Sequence, residues 1–106
     1  MIELNKDNYD AEVIEQKGVV LVDFWSPQCV PCMNLLPHVE KMAEEFEGKV
    51  KFCKVKTVEN RRLCIAQKVM GIPTIVFYKD GERMAELSGE ENATEENIRA
   101  ELAKLA

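Results

Sequence analysis

The sequence predicts an α/β fold with a central, mixed and mostly parallel five-stranded sheet flanked by four helices. Short apolar segments alternate along the chain with amphipathic segments, which is typical of this fold class. The segment Val19–Trp25 is apolar at every position but one, as expected for a strand that is covered on both faces. Asp80-Gly81 is a hairpin signal in the last third of the chain. The predicted order of elements is βαβαβαββα, with parallel pairing through the helical crossovers and an antiparallel hairpin at one edge.

The predicted elements have local start and stop signals. A strand at residues 2–4 precedes a short helix at residues 9–14, and Gly18 ends that helix. The long apolar strand stops at Ser26-Pro27. The remaining predicted elements are a helix at residues 30–46, a strand at residues 50–56, a helix at residues 61–68, strands at residues 74–78 and 83–88, and a last helix that Thr94 caps.

The composition indicates an ordinary globular protein that binds neither nucleic acid nor anionic membranes. Its 106 residues, 1–106, fit one domain. They include 14 basic and 19 acidic side chains, a net charge of −5, whereas binding to phosphates needs a basic face. No apolar run reaches the length of a membrane span, and the N-terminal segment is too polar for a signal peptide. We therefore expect a cytoplasmic protein, and we expect it to be a monomer.

Two of the four cysteines form a CxxC motif, in which Val30 and Pro31 separate Cys29 from Cys32. A lasting disulfide is unusual in a reducing compartment, so this motif indicates redox or metal chemistry. Residues three apart on a helix lie on one face, about 5–6 Å apart. A disulfide has a similar Cα separation, about 5.5–6 Å. A bond at this spacing can therefore form and break with little backbone motion.

The position of the motif predicts different roles for its two sulfurs. Cys29 comes at the start of the predicted helix 30–46, where unpaired N–H groups and the helix dipole favour a thiolate. Cys32 lies one turn further in and is expected to stay a thiol until it displaces Cys29 from a mixed disulfide. Asp23, inside the apolar strand, is the candidate base, because burial raises the pKa of a carboxyl group toward neutral pH.

These residues also allow other interpretations. A zinc site needs four ligands, and beyond the motif only His38, Cys53 and Cys64 are available, so we expect no metal. The alternative for Asp23 is a structural carboxylate paired with Lys54. Cys53 and Cys64 are expected to be small buried hydrophobes, and the alternative for them is a second redox pair.

The sequence resembles the thioredoxin family over essentially its whole length. The resemblance is carried by VLVDFWSPQCVPC at residues 20–32, FCKV at 52–55, GIPT at 71–74 and FYKDGE at 77–82. It implies the thioredoxin fold and a disulfide reductase without a bound cofactor, whose redox group is the reversible Cys29–Cys32 disulfide. The implied partners are disulfide-containing target proteins and a thioredoxin reductase, usually a flavoenzyme that uses NADPH.

The resemblance also implies roles for individual residues. Asp23 and Lys54 match the family's buried acid and neighbouring lysine, and they join the two motif cysteines as the implied catalytic residues. Pro73 matches the family's cis-proline beside the disulfide, which presents the backbone of Ile72 to a substrate strand. The implied substrate-binding residues are Trp25, Val30, Pro31, Ile72, Pro73 and Gly89.

Three positions depart from the family pattern, in which the motif is usually CGPC. Val30 replaces the glycine, Gln28 replaces an aromatic residue, and Met33 replaces a common lysine. The loss of that positive charge predicts a weaker thiolate bias and a specialised target or reductase. An oxidase or isomerase on the same fold is disfavoured because no export signal is present. A binding module without redox activity is disfavoured because the motif, Asp23 and Pro73 are intact.

Overall fold

The computed structural model describes residues 1–105, and it confirms the predicted order of elements. The first predicted helix is a single π-helical turn at Asp10–Ile14, and a 3-10 turn at Thr57–Glu59 is additional to the prediction. The strands are β1 (Ile2–Glu3), β2 (Val19–Trp25), β3 (Val50–Lys56), β4 (Thr74–Lys79) and β5 (Glu82–Ser88), and the α-helices are α1 (Val30–Glu45), α2 (Arg61–Ala66) and α3 (Glu95–Leu105).

The five strands form one mixed sheet in the order β1-β3-β2-β4-β5. The β1 and β2 strands pair in parallel with β3, β4 pairs antiparallel with β2, and β5 pairs antiparallel with β4. Four strands therefore share one direction and β4 runs against them. The expectation that every helical crossover joins parallel strands is wrong for the connection from β3 to β4.

The reversed direction of β4 follows from where the chain re-enters the sheet. Thr74 at the start of β4 pairs with Phe24 near the end of β2. The connection through α2 therefore joins β3 to β4 at one end of the sheet, and β4 runs back from there. The α2 helix is also shorter than predicted, because Lys68 has a φ of 59°, which no right-handed helix accommodates.

Two apolar cores lie on opposite faces of the sheet, because successive side chains of each strand point to opposite faces. This is why β2 is almost continuously apolar. The first core lies under α1 and α3 and contains Leu21, Leu35, Val39, Met42, Phe52, Ile75, Phe77, Ala93, Ile98 and Leu102. The second core lies under the π-helical turn and α2 and contains Tyr9, Val13, Val22, Phe24, Cys53, Val55, Leu63, Cys64, Val76 and Tyr78.

The unpaired cysteines are part of the second core. Cys53 and Cys64 are both buried there, which confirms the prediction that they pack as small hydrophobes. Burial raises the pKa of Cys53 to about 11, and it also raises the pKa of Cys64. Within residues 1–105, no helix is long and apolar enough to cross a bilayer.

Candidate active site

The CxxC motif occupies the first turn of α1. Cys29 is the N-cap residue, with an extended backbone, and Cys32 follows in the first helical turn. The two residues form a disulfide with a Cα–Cα distance of 5.2 Å. The backbone N–H of Cys32 donates a hydrogen bond to Sγ of Cys29 at 3.3 Å. The Cys29 sulfur therefore lies where a serine or aspartate oxygen would cap a helix, as the sequence predicts.

The two sulfurs differ in their access to solvent. Cys29 is half-buried, whereas Cys32 is only 1% exposed. Val30 and Pro31 take the first two helical positions, where the missing N–H of a proline costs no helical hydrogen bond. Val30 is 69% exposed beside Cys29. A reagent or a protein can thus reach Cys29 more easily than Cys32.

A hydrogen-bonded turn joins the end of β2 to Cys29. The N–H of Cys29 donates to the carbonyl oxygen of Ser26 at 3.0 Å. The hydroxyl of Ser26 donates to Oε1 of Gln28 at 2.8 Å and accepts from the N–H of Gln28 at 3.2 Å. Gln28 therefore holds the turn that positions Cys29 at the helix end.

Asp23 is the buried acid of the site. Alternation along β2 places Asp23 on the same face as Leu21, which is the face that α1 covers. It is 1% exposed, and neither of its carboxylate oxygens has a hydrogen-bond partner among residues 1–105. Burial raises the pKa of Asp23 to about 7, while the positive charge of Lys54 opposes that rise. Lys54 acts on Asp23 through its charge, without a hydrogen bond between the two side chains in the described chain.

Trp25 lies against two lysines at the end of β2. The Nζ atoms of Lys54 and Lys56 lie 5.4 Å and 5.7 Å from the centroid of its ring. Lys56 is the register partner of Trp25 on β3, and its Nζ also lies 3.8 Å from a carboxylate oxygen of Glu59. Sequence reasoning missed Lys56. The available signal was its spacing of two from Lys54, which puts both lysines on one face of β3.

The Ile72–Pro73 turn lies at the same end of the sheet, and its peptide bond is cis, as the resemblance implies. The carbonyl oxygen of Pro73 accepts a hydrogen bond from the N–H of Gly89 at 2.8 Å. The hydroxyl of Thr74 donates to the carbonyl oxygen of Gly71 at 2.6 Å. These bonds bring three of the predicted substrate-binding residues together, and pairing of β4 with β2 sets them at the strand end that leads to Cys29.

Comparison with known proteins identifies this arrangement. The family model described as thioredoxin matches residues 1–104. The chain belongs to the thioredoxin family. It is 49% identical over 104 residues to a thioredoxin of Peptoclostridium acidaminophilum, which covers 98% of this chain and 94% of that protein. It is 45% identical over 104 residues to a thioredoxin of Acetoanaerobium sticklandii, covering 98% of each chain. A chloroplastic M-type thioredoxin of Pisum sativum is 37% identical over 86 residues, 81% of this chain and 50% of that protein.

Membership of the thioredoxin family establishes the activity. The protein is a thiol-disulfide oxidoreductase whose redox group is a cysteine disulfide rather than a bound cofactor. Its kinds of partner are disulfide-containing target proteins and a thioredoxin reductase. The Cys29–Cys32 disulfide lies at the active-site position of this family.

The thioredoxin site does not gather the further ligands that zinc would need. Cys53 and Cys64 lie in the second core, and Nδ1 of His38 lies 2.8 Å from a carboxylate oxygen of Glu95. Among the residues that the structure describes, no three His, Cys, Asp or Glu side chains form a group that could hold a metal ion.

Proposed function

We propose that Cys29 is the attacking sulfur and Cys32 the resolving sulfur in the reduction of target disulfides. The observation that carries this proposal is their asymmetry: Cys29 caps a helix and is half-buried, whereas Cys32 is buried. The N–H groups of the first turn stabilise an anionic sulfur at Cys29. Because of this asymmetry, Cys29 attacks the target disulfide first and Cys32 attacks Cys29 afterwards.

The proposed reaction has two exchange steps. The Cys29 thiolate attacks one sulfur of the target disulfide, which forms a mixed disulfide and releases the other target sulfur as a thiolate. Cys32 then gives its proton to Asp23 and attacks Sγ of Cys29. The Cys29–Cys32 disulfide forms, the second target thiolate leaves, and two electrons have passed from the dithiol to the target.

Asp23 is suited to accept that proton. A carboxyl group whose pKa is about 7 is partly ionised at neutral pH, so it can accept a proton and release it again. Lys54 supports this role, because its positive charge opposes the rise in the Asp23 pKa. We assign Asp23 and Lys54 to the catalytic group with the two cysteines.

We assign the docking of target segments to the residues around the disulfide. Val30 is exposed, and the Pro73–Gly89 hydrogen bond fixes two backbone segments relative to each other. The backbone of Ile72 can then pair with an extended target segment, a common mode of peptide recognition. The proposed docking residues are Trp25, Val30, Pro31, Ile72, Pro73 and Gly89.

We further propose that residues 1–106 form one domain that acts as a monomer in the cytoplasm. The net charge of −5 and the alternating α/β pattern support this proposal. The expected electron donor is a flavin-containing thioredoxin reductase that uses NADPH. Sedimentation of the protein tests the monomeric state, and reduction of its disulfide form by NADPH with such a reductase tests the electron donor; a stable dimer or a failure of electron transfer would contradict these two statements.

Trapping tests the proposed roles of the two cysteines. In Cys32→Ser, the mixed disulfide on Cys29 should persist, and mass spectrometry of the adduct should identify the attached target. In Cys29→Ser, the matched control, no comparable adduct should accumulate. Equal adduct formation by the two variants, or adducts only through Cys32, would refute the assignment.

A further inference from the structure

A groove leads away from the disulfide between α1 and the loop that precedes α3. Its volume is about 320 Å³. Pro31 of the CxxC motif forms one side of its mouth, and Glu90, next to Gly89, forms the other. Leu35 and Ala93, both part of the first core, form its floor. The groove thus begins within the proposed docking surface and extends beyond it.

A hydrogen-bonded pair of side chains lines the groove about two turns of α1 beyond Pro31. Nδ1 of His38 on α1 lies 2.8 Å from a carboxylate oxygen of Glu95 on α3. From Pro31 to His38 the helix rises about 10 Å, at about 1.5 Å per residue. An extended peptide covers that distance with about three residues, at about 3.3 Å each. The groove can therefore hold side chains that lie two to four residues from an attacked cysteine.

The charge on the rim of the groove is negative. Glu95 is already paired with His38 and with Arg99, whose Nε lies 2.9 Å from it. Glu90 is exposed and forms no ion pair with any residue in the range 1–105. Neither a lysine nor an arginine of the described chain lines the groove. The rim therefore complements a cation, while the floor complements an apolar side chain.

We propose that this groove binds the segment of a target protein that flanks the attacked cysteine, with an apolar side chain on Leu35 and Ala93 and a lysine or arginine against Glu90. This inference rests on the proposed function, because it requires Cys29 to attack the target disulfide. It makes Glu90 a specificity-determining residue. Targets with apolar and basic residues beside the disulfide are then reduced faster than targets with acidic residues there.

Matched peptide substrates test the proposal. Each peptide carries one cysteine bonded to mercaptoethanol, with Leu and Lys, Leu and Glu, or Ser and Lys at the second and fourth positions on both sides. The reduced protein is mixed with each peptide, and the fluorescence of Trp25, its only tryptophan, follows the reaction. The wild-type protein should reduce the Leu/Lys peptide about two- to fivefold faster than the Leu/Glu peptide, as expected for an exposed charge pair.

Charge reversal at Glu90 distinguishes an effect of the groove on the rate ratio from an effect of the protein's overall negative charge. In Glu90→Lys the ratio of the Leu/Lys rate to the Leu/Glu rate should fall below one. Glu82→Lys is the control, because Glu82 lies at the opposite end of the β4–β5 hairpin, where it pairs with Lys79, about 17 Å along β4 from Thr74. At 0.1 M salt, charges more than about 10 Å apart are largely screened, so this variant should keep the wild-type ratio.

Any other result refutes either the groove proposal or the proposed function on which it rests. An unchanged ratio in Glu90→Lys, or an equal change in Glu82→Lys, refutes the role of Glu90. Equal rates for the Leu/Lys and Ser/Lys peptides refute the apolar floor. Hydroxyethyl disulfide, which has no flanking residues, serves as the reference: if the wild-type protein does not reduce it, the proposed function fails before the groove is tested.

Discussion

Asp23 and Lys54 are register partners on neighbouring parallel strands, yet they form no ion pair within the described chain. The ammonium group of Lys54 lies instead 5.4 Å from the centroid of the Trp25 ring. Asp23 is left buried without a hydrogen-bond partner among residues 1–105, so ionising it is costly. The protein therefore keeps, in the strand that leads to its disulfide, a buried carboxyl group that is partly protonated at neutral pH.

Replacing Asp23 should stabilise the protein at high pH. Burial raises the Asp23 pKa from 3.8 to about 7, so between these values the folded protein binds this proton more tightly than the unfolded chain. The resulting stability is fully present below pH 3.8 and is lost as the pH rises through 7. The free energy of unfolding of Asp23→Asn, relative to wild type, should increase by about 2–3 kcal/mol from pH 5 to pH 8.

Urea titrations of the reduced proteins at the two pH values measure this difference. Asp7→Asn, which changes an exposed carboxylate, is the control and should give the same difference at both pH values. A constant difference for Asp23→Asn would mean that Asp23 is already ionised at pH 5.

Lys54 should lower the pKa of Asp23, whereas Lys56 should not. Both lysines lie against Trp25, but only Lys54 is a source of the opposing shift on Asp23. In Lys54→Met the titration midpoint of Asp23 should move above the wild-type value, because a neighbouring positive charge favours the ionised form. Lys56→Met is the matched substitution at the second lysine beside Trp25, and it should keep the wild-type midpoint of Asp23.

Carbon-13 NMR of the Asp23 carboxyl group measures both midpoints. Trp25 fluorescence provides a second signal, which both variants should change. Equal shifts of the Asp23 midpoint in the two variants would contradict the claim that Lys54, and not Lys56, lowers the Asp23 pKa.

The β4–β5 turn should tolerate no side chain at Gly81. Gly81 has a φ of 83°, and an added Cβ would collide with the backbone carbonyl oxygen of Ile14 in the π-helical turn. Gly48 has a φ of 82° with open space around it. Gly48→Ala should cost roughly 1 kcal/mol, from backbone conformation alone. Gly81→Ala should cost at least about 2 kcal/mol, because the collision adds to that strain.

Chemical denaturation of both glycine variants gives the comparison. Equal losses would mean that the hairpin can move away from the π-helical turn at no cost.

The fold was largely predictable because local signals along the chain agree with each other. The apolar run of β2, the helix start at Cys29 and the turn at Asp80-Gly81 each indicate one structure, and each is observed. The placement of Cys29 at a helix N-terminus was also predictable, because it follows directly from the strand-to-helix order. These elements could therefore be predicted without knowledge of long-range contacts.

Other features depend on how distant segments pack, so the sequence alone could not specify them. The direction of β4 depends on where the short α2 returns the chain. The two lysines around Trp25 depend on the register between β2 and β3. The groove depends on the approach of His38 to Glu95, which are 57 positions apart in the sequence. Local patterns carry no signal for such contacts.

Limited alkylation of the reduced protein tests the asymmetry of the two sulfurs most directly. With less than one equivalent of iodoacetamide at pH 7, followed by peptide mass spectrometry, Cys29 should carry about ten times more label than Cys32. Cys53 and Cys64, buried in the second core, should stay unlabelled. Labelling of Cys32 as fast as Cys29, or faster, would contradict the account.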